Sequence, residues 1–268
     1  HNGKETVKIV MIGKYFETGD FILSDSYLSV IEAIKYSSYT QNRKPVLTWL
    51  NSSDFEKPAS TRQGGNPARL KDLKKYDGII IPGGFGSRGV EGNLNAIKFA
   101  RENKIPYFGL CYGMQMMVIE YARNVLRLKD ANTREVNPNS KNLVIDVMES
   151  QKEILKNNSY GGSMRLGEYK AILRDKTIAR EAYEKKEITE RHRHRYEVNP
   201  AFIGELEAKG LVFSGRSPDG HLMEIAELPK NKHPFFLGTQ FHPEFLARPL
   251  VPHPLFTAFI KACIKKKK

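Results

Sequence analysis

Cysteine is scarce in this chain: two cysteines occur among 268 residues, and Cys111 and Cys263 lie far apart. Two cysteines are too few for a disulfide framework, which favours a reducing compartment, so we expect a cytoplasmic protein. No group of Cys and His residues has the spacing of zinc ligands, and we expect no metal site.

Long apolar runs are also absent. No run approaches the roughly 20 residues that a membrane-spanning helix needs, so we expect a soluble protein with no membrane partner. Residues 1–6 are polar and lack the apolar core of a signal peptide. Because the first residue is not methionine, we expect that the chain was cut from a larger protein or trimmed.

Acidic residues are outnumbered, with 30 Asp and Glu against 43 Lys and Arg and a net charge of +13. Such a balance raises nucleic acid as a partner. The basic residues are scattered, however, and the densest runs are 191–195 and the tail at 265–268. Aromatic residues do not alternate with them, as a stacking platform for single strands would require. We therefore favour a solvated basic surface and expect no nucleic-acid partner, with a basic nucleic-acid-binding module as the alternative.

The first half of the chain alternates short apolar runs with helical patterns. Residues 7–12, 46–50, 78–81 and 105–110 are predicted strands, and residues 24–36, 91–103 and 113–123 are predicted helices. This alternation indicates an α/β fold with a central, mostly parallel sheet flanked by helices. The second half is less regular, with strand candidates at 143–147, 164–173, 211–213, 222–225 and 235–241. No boundary divides the chain, so we expect one domain over residues 1–268.

Two helix starts carry a specific signal. Asn66 is followed by Pro67, and Asn199 is followed by Pro200. An Asn side chain caps the first turn of a helix, and proline is favoured at the first helical position. We therefore predict that one helix begins at each pair.

The segment around Cys111 is the most informative part of the sequence. An apolar strand runs into it, a predicted helix follows, and Gly109 and Gly113 flank the cysteine at minus and plus two. Such a turn holds a nucleophile at its tip with strained backbone angles, and the N-terminus of the next helix favours the reactive thiolate. A buried structural cysteine is the alternative, and it is the favoured interpretation of Cys263.

A thiolate needs a partner that can carry its proton, and that partner needs an orienting group. His242 is the best candidate among the seven histidines because it directly follows the apolar run 235–241. Strand ends in a parallel sheet meet at one edge, so His242 and Cys111 can approach each other. Glu244 lies two residues further on and can fix the imidazole tautomer.

Acyl chemistry also needs donors for a developing oxyanion. The glycine-rich segment 81–86 follows another predicted strand. A dinucleotide or phosphate loop competes with this interpretation, but the dinucleotide-binding glycine spacing and the phosphate-loop lysine are both absent. We assign the oxyanion hole to the backbone N–H groups of Gly84 and Tyr112.

These segments together resemble the class I glutamine amidotransferases, and further motifs narrow the resemblance to the CTP synthase family. The similarity extends over about residues 7–262. The matching segments are Gly13-Lys14-Tyr15, 82–92, 162–167, the string ERHRHRYEVN at 190–199, and 240–245.

The resemblance implies a flavodoxin-like domain that hydrolyses L-glutamine through a glutamyl thioester. In that family the ammonia passes to an N-terminal synthetase domain, which binds UTP, ATP and Mg²⁺, and GTP activates the enzyme. The resemblance also implies a homotetrameric full-length enzyme. This chain has no room for the synthetase domain, so we expect glutamine hydrolysis without CTP formation, and no cofactor within the chain.

The resemblance also assigns individual residues. The triad is Cys111, His242 and Glu244. The residues that hold the substrate are Gly84, Phe85, Tyr112, Gln115, Glu135 and Arg195. An α-carboxylate needs a cation such as Arg195, and an α-ammonium needs an acceptor such as Glu135. For GTP, the loop 86–92 is a predicted lid, in which Arg88 meets a phosphate and Glu91 meets the guanine edge.

Three features depart from the family pattern. Tyr112 stands where the family usually has leucine, segment 16–26 is longer than usual, and segment 138–162 matches loosely. The alternative enzymes are other cysteine hydrolases of the same fold, such as a γ-glutamyl hydrolase or an intracellular peptidase. Glu135 and Arg195 argue against a peptidase, because together they match a free amino acid.

Overall fold

The computed structural model describes residues 5–13, 17–18, 21–22, 27–56, 66–147 and 164–266. Within these ranges the chain forms one sheet of nine strands, with helices on both sides, and two small sheets. None of the described helices is long and apolar enough to cross a membrane.

Five parallel strands form one half of the large sheet. Their order is β4 (Lys44–Asn51), β1 (Thr6–Gly13), β5 (Gly78–Ile81), β6 (Tyr107–Leu110) and β14 (Phe236–Thr239). All four pairings between these strands are parallel. The carboxyl ends of β5, β6 and β14 therefore lie side by side at one edge of the sheet.

Four antiparallel strands continue the sheet beyond β14. They are, in order, β13 (Met223–Glu227), β12 (Val212–Arg216), β9 (Arg165–Leu173) and β10 (Glu187–His194). The four pairings that join them to each other and to β14 are antiparallel. The sheet is therefore mixed, and the expectation of a mostly parallel sheet holds only for its first five strands.

The smaller sheets complete the strands. One is a three-stranded sheet of β11 (Tyr196–Val198), β8 (Leu143–Val147) and β7 (Asn132–Thr133). The other pairs β2 (Glu17–Thr18) with β3 (Phe21–Ile22). The helices are α1 (Leu28–Thr40), α2 (Pro67–Asp72), α3 (Val90–Glu102), α4 (Tyr112–Asn124), α5 (Ile178–Tyr183), α6 (Pro200–Ala208) and α7 (Pro254–Lys266).

Two apolar cores cover the two faces of the large sheet. Successive residues of a strand point to opposite faces, and in β1 Val10 packs into one core while Ile9 and Met11 pack into the other. Helices α3 and α4 contribute to the first core, and helices α1 and α7 contribute to the second. The near-continuous apolar sequence of β1 follows from this burial on both faces.

Both predicted helix starts are confirmed. The side chain of Asn66 accepts hydrogen bonds from the backbone N–H groups of Ala68 and Arg69, and α2 begins at Pro67. The side chain of Asn199 accepts from Ala201 N–H, and α6 begins at Pro200. Helix α5 and strand β10 were not predicted. Most of motif 13–15, of segment 16–26 and of segment 138–162 lies outside the described residues.

Candidate active site

Cys111 occupies a strained turn between β6 and α4. Its backbone angles are φ 49° and ψ −97°, in a region that residues other than glycine rarely adopt. Its backbone N–H donates to Thr239 O at 2.6 Å, which holds the turn against the end of β14. A Cβ at Gly113 would lie 2.2 Å from Ile81 O, so only glycine fits there. The predicted strand-to-helix turn is confirmed.

His242 lies at the end of the neighbouring parallel strand. Its Nδ1 atom is 2.7 Å from Glu244 Oε1, and its backbone N–H donates to Arg191 O at 2.9 Å. A Cβ at Gly83 would lie 2.9 Å from His242 Cε1, so the glycine loop after β5 passes directly against the imidazole. The three loops that follow β5, β6 and β14 thus converge, as the sequence predicted.

The surroundings of His242 favour its protonated form. Burial lowers the pKa of His242, but the Glu244 carboxylate and the neighbouring Cys111 outweigh burial and raise the pKa well above the ordinary value of 6.5. The imidazolium can therefore persist beside Cys111 at neutral pH. This arrangement supports a thiolate–imidazolium pair oriented by a carboxylate.

A cavity of about 780 Å³ opens at these loops. Eight of the nine residues that the sequence assigns to catalysis or to substrate binding line it. They are Cys111, His242, Glu244, Gly84, Phe85, Gln115, Glu135 and Arg195. The ninth, Tyr112, lines a smaller neighbouring cavity together with Gly83 and Gly84.

The side chains of Tyr112 and Glu135 both bind the backbone of Gly86 in the glycine-rich loop. The hydroxyl of Tyr112 donates to Gly86 O at 3.1 Å, and the carboxylate of Glu135 accepts from Gly86 N–H at 2.9 Å. Tyr112 is buried, so its hydroxyl secures the loop, whereas leucine could not. Glu135 is half-buried and lines the cavity, which excludes the alternative of a fully solvated carboxylate.

Arg195 and Gln115 approach the same cavity from different elements. Gln115, in α4, donates from Nε2 to Tyr196 O at 3.1 Å. Arg195 is half-buried, and its Nε atom is buried without a hydrogen-bond partner among the described residues. A buried guanidinium nitrogen without a partner is costly unless a ligand satisfies it. This observation fits an anionic group in the cavity.

The two predicted effector residues lie outside the cavity lining. Arg88 is exposed. The Glu91 carboxylate accepts two hydrogen bonds from Arg123 Nη1, at 2.8 and 3.0 Å. Glu91 therefore has a partner on helix α4 and is not simply available to a ligand.

The run 191–195 is not the uniform basic surface that its sequence suggests. Residues 191–194 form the end of β10, where Arg191 and Arg193 are exposed while His192 and His194 are buried, and Arg195 follows the strand. Burial, with Arg165 and His242 nearby, lowers the pKa of His192 to about 3. Burial and the same neighbours hold the pKa of His194 well below its usual value, so both imidazoles are neutral.

Several residues at the site were not predicted from the sequence. Gln240 donates from Nε2 to Cys111 Sγ at 3.6 Å, and Arg193 O lies 4.0 Å from the same sulfur. Phe245 stacks on the His242 ring, with centroids 5.0 Å apart. Gln240 directly follows β14 in the same motif as His242, which was the available signal. Arg193 gave no local signal, because the contact comes from its backbone.

Metal ligands are not assembled in the part of the chain that the structure describes. No group of three or more His, Cys, Asp or Glu side chains there has the arrangement of a metal site. The cavity is instead lined by the carboxylate of Glu135 and the guanidinium of Arg195, which suit the two charges of a small zwitterion. The candidate nucleophile Cys111 lines the same cavity.

Comparison with known proteins places this chain in a family. The family model described as "Glutamine amidotransferase class-I" matches residues 22–262. The chain is 47% identical over 268 residues to CTP synthase of Mycobacterium marinum, covering 100% of this chain and 44% of that protein. It is 50% identical over 259 residues to CTP synthase of Sulfolobus acidocaldarius, covering 97% and 45%. The chain thus spans less than half the length of these curated relatives.

A solved structure agrees with the sequence relatives. The glutaminase domain of Trypanosoma brucei CTPS, solved with bound acivicin, superposes with a TM-score of 0.85 at 34% identity, covering 97% of this chain and 94% of that chain. A glutamine amidotransferase from Thermotoga maritima superposes with a TM-score of 0.51 at 13% identity, covering 98% of each chain, which indicates a shared fold only.

Proposed function

This chain belongs to the class I glutamine amidotransferases, among the glutaminase domains of CTP synthases, and we propose that it hydrolyses L-glutamine to glutamate and ammonia through a Cys111–His242–Glu244 triad. The observation that carries the proposal is the position of Cys111. The cysteine lies in a strained turn and lines the same cavity as a histidine that a carboxylate holds at 2.7 Å. That combination activates a nucleophile and serves no evident packing purpose.

In the first half-reaction, the Cys111 thiolate attacks the carbonyl carbon of the glutamine side-chain amide. The backbone N–H groups of Gly84 and Tyr112 stabilise the developing oxyanion. His242, as imidazolium, donates its proton to the amide nitrogen, the carbon–nitrogen bond breaks, and ammonia leaves. The product on the enzyme is a γ-glutamyl thioester.

In the second half-reaction, His242 is neutral and takes a proton from water, which attacks the thioester carbonyl. The carbon–sulfur bond breaks, glutamate leaves, and Cys111 departs as a thiolate beside the re-formed imidazolium. Glu244 stabilises that imidazolium in both steps and does not itself need to accept the proton.

Substrate recognition uses the charges around the cavity. Arg195 binds the α-carboxylate. Its buried Nε has no hydrogen-bond partner among the described residues, and the carboxylate would supply the missing acceptor. Glu135 accepts from the α-ammonium, and it also holds the loop of Gly84 and Phe85 through Gly86 N–H. Glutamine binding would therefore engage the loop that carries the oxyanion donor.

The ammonia is proposed to serve a synthetase domain in a longer protein. The curated relatives are more than twice as long as the segment that this chain matches. We propose that the longer protein is a cytoplasmic homotetramer that aminates UTP to CTP with ATP and Mg²⁺. These reactants would bind to the synthetase domain, so this chain itself would hold no cofactor.

GTP activation is proposed to act through the loop that follows the oxyanion segment. Gly86 and Gly89 both have positive φ angles, of 80° and 71°, so the loop depends on glycine for its shape. The exposed Arg88 can meet a phosphate, whereas Glu91 would first have to leave Arg123. In the full-length protein, Arg88→Ala should weaken GTP activation of glutamine-dependent CTP synthesis. Unchanged activation in that variant would rule out this role for Arg88.

A substrate panel tests the proposed function directly. The chain is incubated with L-glutamine, with γ-glutamyl peptides and with unrelated peptides, and product release is measured. Release of ammonia from glutamine, with no peptide cleavage, is expected. Preferential cleavage of γ-glutamyl peptides would instead favour a γ-glutamyl hydrolase, and cleavage of unrelated peptides would favour a peptidase.

A further inference from the structure

The side chain of Gln240 lies against the reactive sulfur. Gln240 directly follows β14, is completely buried, and places Nε2 at 3.6 Å from Cys111 Sγ. That separation is within the range of an N–H···S hydrogen bond. Buried amides without a role in packing are retained only where their hydrogen bonds are satisfied, so the partner of this amide is informative.

A backbone carbonyl fixes the orientation of the Gln240 amide through Gln115. Gln115 lies 3.1 Å from Tyr196 O, a backbone carbonyl that can only accept, so the Gln115 atom that faces it is the donor Nε2. The same Nε2 lies 3.4 Å from Gln240 Oε1. Gln240 therefore receives a hydrogen bond on its oxygen, and its own N–H groups face the sulfur.

We propose that Gln240 is a catalytic residue whose side-chain amide donates a hydrogen bond to Cys111 Sγ and stabilises the sulfur as a thiolate, with Gln115 as the residue that orients it. The proposal rests on the glutaminase function proposed above and adds a donor on the sulfur itself. A donor to an ionised sulfur is stronger than one to a neutral thiol, so Gln240 favours the charged state.

The donor matters because a carbonyl faces the same sulfur. Arg193 O lies 4.0 Å from Cys111 Sγ, and its partial negative charge would repel a negative charge on the sulfur. His242 is the titratable group whose pKa responds to Cys111, which raises it. The other charged or titratable groups that line the cavity are Glu244, Glu135, Arg193, His194 and Arg195, together with the phenols of Tyr27 and Tyr196.

The donor would act at two points in the reaction. Before attack, the proton of Cys111 moves to His242, and the hydrogen bond from Gln240 stabilises the thiolate that results. In the second half-reaction, the carbon–sulfur bond breaks and the electron pair returns to sulfur, so a donor on sulfur makes Cys111 a better leaving group. In the thioester the sulfur carries little charge, and the hydrogen bond is weak.

Alkylation of Cys111 by iodoacetamide across pH tests the proposal in the chain as it is. Gln240→Leu removes the donor, and the pH midpoint of Cys111 alkylation should rise by about one unit, a tenfold change in the ionisation constant. Gln240→Glu keeps the length and shape of the side chain but adds a negative charge, so its midpoint should rise further. The midpoint is compared rather than the rate, because the reactivity of a thiolate also changes with its basicity.

Thr239→Val is the matched control. Thr239 precedes Gln240, is equally buried, and uses its hydroxyl on Phe241 O and not on the sulfur. Its alkylation midpoint should equal that of the wild-type chain. Thermal unfolding identifies the variants that fold, and if Gln240→Leu does not fold, Gln240→Glu carries the test.

An unchanged midpoint in a folded Gln240 variant would overturn the proposal. The assay needs no glutamine, so its outcome is separate from that of the proposed function. A folded wild-type chain that hydrolyses no glutamine would contradict the function, and the Gln240 variants would still report on the sulfur.

Discussion

At the scale of single residues, the site depends on how charge is arranged around one sulfur. Cys111 has backbone angles that strain its turn, and His242 has its pKa raised by Glu244 and Cys111 against the effect of burial. The carboxylate is therefore the group that allows a buried imidazole to hold a proton at neutral pH. Two substitutions test this arrangement and the binding of substrate beside it.

Glu244→Gln should lower the pKa of His242, because burial then opposes the imidazolium without a compensating carboxylate. A less stable imidazolium makes the thiolate harder to form, so the pH midpoint of Cys111 alkylation should move upward. Glutamine turnover should fall by roughly tenfold to a hundredfold, less than the loss expected for His242 itself. A variant with an unshifted alkylation midpoint would show that Glu244 does not control the charge of His242.

Arg195→Ala should raise the KM for glutamine by roughly tenfold to a hundredfold and change kcat little, because a charge-assisted hydrogen bond to the α-carboxylate is lost. Arg191→Ala is the control, since Arg191 is exposed on the neighbouring strand β10 and does not line the cavity. Steady-state kinetics of both variants give the comparison. Equal KM values for the two variants would exclude Arg195 from substrate binding.

At the scale of secondary-structure elements, β10 connects the two halves of the site. Its carbonyls contact both members of the proposed catalytic pair: Arg191 O accepts His242 N–H at 2.9 Å, and Arg193 O lies 4.0 Å from Cys111 Sγ. Its buried side chains bind to one another, with His192 Nδ1 2.8 Å from His194 Nε2. A polar network behind β10 therefore helps to place the strand.

That network contains one cation between two buried carboxylates. Arg165 Nη1 lies 2.7 Å from Glu224 Oε1 and 3.5 Å from Glu197 Oε1. Burial raises the pKa of both glutamates, and Arg165 opposes the increase. Removing the cation would leave two carboxylates together in a site that water does not reach.

Arg165→Met should therefore lower the free energy of unfolding at pH 8 by about 3–5 kcal/mol. A carboxylate whose pKa is raised on folding stabilises the fold at low pH, and that contribution is lost as pH rises through the raised pKa. The loss should thus be smaller at pH 5 than at pH 8, as measured by urea unfolding. Arg174→Met, which removes an exposed ion pair with Glu207, should cost at most about 1 kcal/mol. An Arg165→Met loss that is equal at both pH values would contradict this explanation.

Elements were predicted well from the sequence where local chemistry decides them. The side chains of Asn66 and Asn199 cap their helices as predicted, and β5 and β8 have the predicted bounds. Strand β10 was missed because Arg and His are both polar, so its alternation of exposed and buried residues is invisible on a hydrophobicity scale. The burial of His192 depends on tertiary partners, among them the rings of Tyr169 and Phe241.

At the scale of the whole molecule, the order of the strands accounts for which parts of the site could be predicted. The loops after β5, β6 and β14 belong to adjacent parallel strands, so their convergence follows from the α/β pattern alone. Arg195 reaches the cavity from the antiparallel half of the fold, whose arrangement has no local signature. Its substrate role therefore came from resemblance to a family rather than from spacing.

Ammonia release from L-glutamine is the direct measure of whether Cys111 is the nucleophile of a glutaminase. The wild-type chain and Cys111→Ala are compared under the same conditions, with Cys263→Ala as the control because Cys263 is buried in an apolar core and does not line the cavity. Release is expected from the wild-type chain and from Cys263→Ala, with a loss of at least about a thousandfold in Cys111→Ala. Release at a near wild-type rate by Cys111→Ala would contradict the assignment of Cys111 as the nucleophile.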